Sequence, residues 1–212
     1  MSESPLITKP SKSVAWEKVE KYYDDCALFI QDDSRAMGWS SEFTQQLRFD
    51  VISYLVDLTN QSIFDIGCGD GAFYHYLKNA KIPVKYKGID ISKKMVSRAQ
   101  ERSPGIDIRC ANYVNYFLKH AADTVVVSGA FSYCPGYSDS YQFLFESLST
   151  CFAFAKKNLV VNLLTSNTNQ KSSMFHSYDP RKVLDMAFEL TPYVSLNHSY
   201  MPNDFTLLLS KA

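Results

Sequence analysis

Residues 63–71, Ile-Phe-Asp-Ile-Gly-Cys-Gly-Asp-Gly, constrain the fold more than any other stretch of the chain. Apolar and β-prone residues lead into glycines at 67, 69 and 71, and a helical pattern follows at once. This predicts a buried parallel strand that turns sharply into a helix. Each missing Cβ lets a ligand or a backbone segment approach closely. A helix starting near Asp70 turns unsatisfied N–H groups and a partial positive charge toward the same point. Residues 84–91 read as a second strand ending in Asp90, whose carboxylate is placed to accept hydrogen bonds from both hydroxyls of a ribose. Strand, glycine turn, helix, strand and acid together describe a site for a nucleoside-containing cofactor.

The glycines do not by themselves say which nucleoside. Gly67-x-Gly69-x-x-Ala72 also satisfies the dinucleotide fingerprint, with Asp90 at about the required distance. An NAD(P)-dependent oxidoreductase therefore stays open. Three features point to S-adenosylmethionine (SAM). Asp65 stands two positions before the first glycine, where it can hold the loop and face a cationic aminoacyl group. Gly71 extends the pattern to D-x-G-x-G-x-G, and the later elements end in an antiparallel pair. On these residues the chain resembles the class I SAM-dependent methyltransferases over roughly residues 40–212. A SAM-binding protein without turnover is the further alternative.

Length and composition set the frame. A chain of 212 residues with 46% hydrophobic content suits one buried domain. The 22 basic and 22 acidic residues cancel and form no long block, which argues against nucleic acid or an anionic membrane as partner. No apolar run approaches the ~20 residues of a membrane span. Residues 1–13 read as a flexible tail without the apolar core of a signal peptide. Cys26, Cys68, Cys110, Cys134 and Cys151 are scattered and lack C-x-x-C spacing. They predict reduced thiols in a cytoplasmic protein, and no metal site.

The resemblance implies an α/β fold: a doubly wound, seven-stranded, mostly parallel Rossmann-like sheet with a C-terminal antiparallel hairpin and an N-terminal helical extension. One domain spans residues 14–212, with helices or a lid over 14–58 and the core over 59–212. Helical spacing covers 14–30 and 41–58, the second with Phe43, Leu47, Val51, Tyr54 and Leu55 on one face. Ser92 caps a helix running to Arg102. Ser138 caps one bearing Tyr141, Phe145, Leu148 and Phe152, and Asp179-Pro180 opens another toward Leu190. Strands are predicted at 106–110, 124–128, 159–164, 193–200 and 205–209. The short connection at 202–204 makes the last two antiparallel.

By the same resemblance, the cofactor contacts are Asp65, Gly67, Cys68 and Gly69 in the glycine loop, with Asp90 on the ribose and Ile91 on the adenine. Ala111, Asn112 and Tyr113 follow the third strand, where Asn112 replaces the acid that usually reads the adenine amino group. Ser128 and Gly129 end the fourth strand, and Trp39 and Arg48 come from the helical preface, Arg48 facing the cofactor carboxylate. Tyr22 and Tyr23 belong to the helices or to a lid. The fourth strand ends in Ser-Gly-Ala-Phe-Ser-Tyr, not in the Asn/Asp-Pro-Pro-Tyr/Phe of enzymes that methylate bases or glutamine amides. That favours a small-molecule acceptor methylated at O, N or S. Candidate acceptor contacts are Phe131, Tyr133, Tyr137, Asn162, Thr165, Phe175 and Tyr178, and His176 is the candidate general base.

Overall fold

The computed structural model describes residues 15–29, 42–116, 122–133, 135, 139–168 and 174–212. In chain order these form α1 (Trp16–Phe29), α2 (Glu42–Leu55), β1 (Ser62–Ile66), α3 (Ala72–Asn79), β2 (Lys85–Asp90), α4 (Lys93–Arg102) and β3 (Ile108–Cys110). There follow β4 (Ala122–Ser128), α5 (Ser140–Phe154), β5 (Ala155–Leu164), α6 (Pro180–Phe188), β6 (Val194–Met201) and β7 (Asp204–Ser210). Single 3-10 turns sit at Tyr113–Asn115 and Ala130–Ser132.

The sheet order is β3-β2-β1-β4-β5-β7-β6. β3, β2, β1, β4 and β5 are parallel neighbours, and β7 runs antiparallel to both β5 and β6. From β1 the chain builds outward through β2 and β3, then crosses back to place β4 on the other side. The crossover leaves a crevice beyond the carboxyl ends of β1 and β4, where open α/β sheets bind ligands.

Period-two alternation sends side chains to two cores. Phe64 and Ile66 of β1, Val125 and Val127 of β4, and Leu159 and Val161 of β5 pack against Leu144, Leu148 and Val183 of α5 and α6. Ile63, Val126 and Val160 point the other way, onto Phe49 and Ile52 of α2 and Phe73 and Leu77 of α3. Burial on both faces explains why β4 reads as an uninterrupted apolar run.

The face of α2 differs from the sequence expectation. Phe43 and Tyr54 are 73% and 84% exposed; Val51 of the expected face is buried, together with Gln45, Arg48, Phe49 and Ile52. Helical spacing is kept, but the buried face is rotated because two polar side chains belong to it. The cap of α5 is Asp139, whose carboxylate accepts from the N–H groups of Tyr141 and Gln142; Ser138 lies outside the described residues. The buried stripe of α5 runs through Phe143, Leu144, Ser147, Leu148, Cys151 and Phe154, with Tyr141, Phe145 and Phe152 half-buried. β5 starts four residues earlier than the apolar pattern indicated, because Ala155 pairs with Ala122 before the Lys-Lys-Asn segment. Ser92 and Asp179 cap α4 and α6 as predicted. Residues 1–13 lie outside the described residues.

Candidate active site

At the crevice lies a cleft of about 790 Å³ of open space, counted out into solvent at its mouth. The glycine loop forms one wall. The N–H groups of Gly67 and Cys68 both donate to the Ile89 carbonyl, at 2.9 and 3.1 Å, which ties the loop to the end of β2. Gly67 has a φ of +72°, and a Cβ there would stand 2.6 Å from the Ala130 Cβ. Only glycine fits this contact between the loop and the end of β4.

Asp90 ends β2 on the opposite wall. One carboxylate oxygen accepts from the N–H of Gly69 at 2.8 Å, and the other from the N–H of Ser92 at 2.8 Å. Each oxygen keeps a lone pair for a ligand hydroxyl. Burial raises the Asp90 carboxyl to about 6, although both backbone donors pull it down. Ile91, Met95, Ala111 and Tyr113 add an apolar surface beside it. The Asn112 side-chain oxygen caps the following 3-10 turn through the Val114 N–H at 3.1 Å.

The third wall is α1, which contributes Trp16, Val19 and Tyr23. It is strapped down by polar contacts with α4. Asp24 accepts from the Ser92 hydroxyl at 2.5 Å and the Lys94 N–H at 3.3 Å, and Arg98 donates to the Ala27 carbonyl at 3.1 Å. Trp16 meets Tyr113 edge-on at 5.8 Å. Burial and the neighbouring Asp90 hold the Tyr23 phenol protonated, well above its ordinary value.

Beside Tyr23 and Tyr133 of the cleft wall, Tyr22 lies 5.1 Å from Tyr23, 4.6 Å from Tyr133 and 6.1 Å from Phe175, ring centre to ring centre. Tyr133 and Phe175 are 5.9 Å apart. These rings from α1 and the segments after β4 and β5 make an aromatic cap. A smaller side cavity, lined by Gln45, Phe49, Asp65, Gly67, Cys68 and Ser128, lies behind the glycine loop. There the Tyr86 hydroxyl donates to Asp65 at 2.6 Å, and burial lifts the Asp65 carboxyl to about 7.

Residues 64–151 match a family described as a methyltransferase domain. A Mycobacterium tuberculosis (strain ATCC 25618 / H37Rv) protein named as a methyltransferase, Rv1506c, is 31% identical over 159 residues, 71% of this chain and 93% of the relative. The chain belongs to the class I SAM-dependent methyltransferases. Trans-aconitate 2-methyltransferase of Afipia carboxidovorans is 29% identical over 119 residues, and the match spans 46% of that relative's length. Among solved structures, magnesium protoporphyrin IX methyltransferase of Synechocystis PCC 6803 with bound S-adenosylhomocysteine (SAH) aligns with a TM-score of 0.66 at 16% identity, over 93% of this chain and 99% of that one. The plantazolicin methyltransferase BpumL with SAH gives 0.62 at 14% identity, over 93% and 98%. These two likenesses show the fold.

In this methyltransferase the cleft collects Gly67, Gly69, Asp90, Ile91, Ala111, Asn112, Tyr113, Ser128, Gly129, Phe131 and Tyr133 of the residues predicted from sequence. Asp65 and Cys68 face the side cavity instead, and burial pushes the Cys68 thiol up. Arg48 is corrected. Its Nε and Nη2 donate to Asp204 of β7 at 2.8 and 2.5 Å and its Nη1 to the Thr44 carbonyl at 3.0 Å, so it pairs across the second core rather than in the cleft. Tyr178 is fully buried beneath the cleft floor, its hydroxyl donating to the Phe131 carbonyl at 2.8 Å, and Thr165 is buried with it through a short parallel bridge. Neither reaches the acceptor space.

Asn162 is buried inside the sheet between Ser128 and Thr206. His176 turns away from the cleft: its Nε2 meets the Ser140 hydroxyl at 2.8 Å and its ring packs on Tyr178, with burial lowering its pKa. Phe175 joins the aromatic cap rather than the cleft wall. Trp39 and Tyr137 lie outside the described residues. Trp16, Val19, Met95 and Phe143 line the cleft without having been read as site residues. The first two sit one helical turn apart on α1, a spacing that signals a buried face but not what it covers. Among the described residues no helix is long and apolar enough to cross a membrane.

Proposed function

We propose that this methyltransferase moves the methyl group of SAM to an O, N or S atom of a small, flat and largely apolar molecule. The observation that carries the acceptor class is the aromatic cluster of Tyr22, Tyr23, Tyr133 and Phe175, of which Tyr23 and Tyr133 line the cleft. Such rings recognise planar apolar surfaces by stacking and edge contacts. The balanced charge, with 22 residues of each sign, supports a small ligand over a polyanion. Protoporphyrin and trans-aconitate, for which two of the matched methyltransferases are named, are small molecules rather than polymers. Free thiols at Cys26, Cys68, Cys110 and Cys151 support a reducing, cytoplasmic setting.

The residues present suit the cofactor. Asp90 offers one lone pair on each oxygen to the ribose hydroxyls, beside the apolar surface of Ile91, Ala111 and Tyr113 for adenine. Asn112 stands at the adenine edge. The loop of Gly67 and Gly69, with Asp65 behind it and Ser128 and Gly129 opposite, suits the cationic aminoacyl end. When bound, the sulfonium supplies an electrophilic methyl group, and in-line displacement is accelerated mainly by alignment and exclusion of water. α1 and the aromatic cap serve those two ends. Among the described residues lining the cleft, Asp90 is the sole carboxylate, and histidine and lysine are absent. This lining suits an acceptor that brings its own nucleophile: a carboxylate, thiolate, phenolate or unprotonated ring nitrogen.

The test is SAH release from labelled SAM against a panel of planar carboxylates, phenols, thiols and heteroaromatics, beside transfer RNA and peptides. Turnover confined to small planar acceptors is the expected result. Turnover confined to RNA or peptide overturns the acceptor assignment.

A further inference from the structure

A continuous chain of hydrogen bonds, buried at Arg48, Asp204, Thr206 and Asn162 and half-buried at Tyr200 and Ser128, runs from α2 through the sheet to the cleft. It begins at the Arg48–Asp204 pair, whose side chains are 4% and 2% exposed. The other oxygen of Asp204 accepts from the Tyr200 hydroxyl at 2.5 Å. Thr206 donates to the Tyr200 oxygen at 2.9 Å, the Asn162 amide donates to Thr206 at 2.6 Å, and Ser128 donates to the Asn162 carbonyl oxygen at 2.9 Å.

Counting protons fixes the direction of every link. An arginine-paired Asp204 can only accept, which uses the one hydroxyl proton of Tyr200. The Tyr200 oxygen must then accept from Thr206, whose one proton is spent in turn, so Thr206 must accept from the amide nitrogen of Asn162. This turns the carbonyl oxygen of Asn162 to Ser128, and Ser128 must donate to it. The Ser128 oxygen is left with lone pairs alone, and successive bonds in such a chain polarise one another in the same sense. Ser128 lines both the cleft and the side cavity that holds Asp65.

We propose that Tyr200, Thr206 and Asn162 are positioning residues that hold the Ser128 hydroxyl as a dedicated hydrogen-bond acceptor, so that the site selects a cofactor carrying an N–H donor at its aminoacyl end. The inference rests on the cofactor placement proposed above. It ties selectivity at the cleft to a charge pair on the far side of β7, through residues that touch no ligand. Removing the Tyr200 hydroxyl leaves the Thr206 proton without its acceptor. Thr206 and the Asn162 amide can then turn over, and Ser128 becomes free to act as a donor.

The experiment is calorimetric titration of SAH and of the analogue in which its α-ammonium is replaced by hydrogen. Wild type, Tyr200→Phe, Thr206→Val and Thr206→Ser are compared, with thermal unfolding confirming each fold. Wild type prefers SAH by about tenfold, the scale of one hydrogen bond to a charged group. Tyr200→Phe and Thr206→Val lose most of that preference through weaker SAH binding with unchanged analogue binding, and Thr206→Ser keeps it. Equal weakening of both ligands, or an unchanged preference in Tyr200→Phe and Thr206→Val, overturns the positioning role. Failure of wild type to bind SAH at all overturns the cofactor placement, and this inference with it.

Discussion

With the ribose on Asp90, as proposed above, protonation of Asp90 is linked to cofactor binding, and the size of the linkage follows from its surroundings. Burial lifts the carboxyl from 3.8 to about 6, against the pull of the Ser92 and Gly69 N–H groups, and the charges of Asp24 and Asp70 add to the rise. The folded value is the higher one, so the folded chain holds a proton that the unfolded chain releases. This contribution to stability is complete below 3.8 and is lost as pH rises through about 6. It amounts to about 3 kcal/mol at most. Ribose hydroxyls donate more strongly to the ionised form, which is about a tenth of the population near pH 5 and about nine tenths near pH 7. SAH affinity therefore falls by up to roughly tenfold, ~1.4 kcal/mol, from the higher pH to the lower. Asp65, lifted to about 7 by burial behind the glycine loop, adds a second, weaker rise in affinity with pH through its charge near the proposed aminoacyl end. Asp90→Asn keeps the shape of the side chain but accepts one of the two N–H bonds, so it abolishes the lower step and most of the affinity. Asp65→Asn removes only the upper step. Titration calorimetry from about pH 5 to about pH 8, in buffers of different ionisation enthalpy, reads both affinity and proton release. A flat wild-type affinity across the lower half of that range refutes the reasoning, as does an unchanged slope in Asp90→Asn.

Gly67→Ala places a Cβ 2.6 Å from that of Ala130 at a φ of +72°. It costs about 2–4 kcal/mol in chemical denaturation and weakens SAH binding, because loop and strand end must part. Gly88→Ala drives a Cβ to 2.8 Å from the Cys68 Sγ, beneath the glycine loop. It lowers stability by about 1–3 kcal/mol, and Cys68→Ala in the same chain restores only part of the loss in a double-mutant cycle, because the Ile108 Cγ1 and the Cβ of residue 68 still stand 3.0 and 3.1 Å away. Arg48→Met leaves Asp204 buried and uncompensated and costs about 3–5 kcal/mol, whereas Arg48→Met with Asp204→Leu recovers most of it. Tyr178→Phe removes one buried bond to the Phe131 carbonyl and lowers stability by about 1–2 kcal/mol.

The nucleotide-binding half was legible because its signals are local. Gly67, Gly69 and Asp90 stand within one strand–helix–strand unit, and the run from 124 to 128 is apolar on both faces. The antiparallel ending was forced by a connection too short for a crossover. What escaped reading depends on partners far away in sequence. Arg48 looked free to meet a carboxylate in the cleft, and it meets one, but the carboxylate belongs to Asp204, 156 positions later. That pairing also rotates the buried face of α2, so Phe43 and Tyr54 are exposed although their spacing suggested a core stripe. Tyr178 and His176 sit beside the site in sequence order, yet the bridge from Tyr178 to Thr165 turns one into the core, and the Ser140 hydroxyl holds the other. Trp16 and Val19 of α1 become cleft walls only once Asp24 fastens α1 to α4.

The most direct measurement is a crystal structure of the protein with SAH. The expected complex has the ribose on Asp90, the adenine against Ile91 and Ala111, and the aminoacyl end between the Gly67 loop and Ser128. SAH bound elsewhere, or a ribose that makes no contact with Asp90, contradicts it.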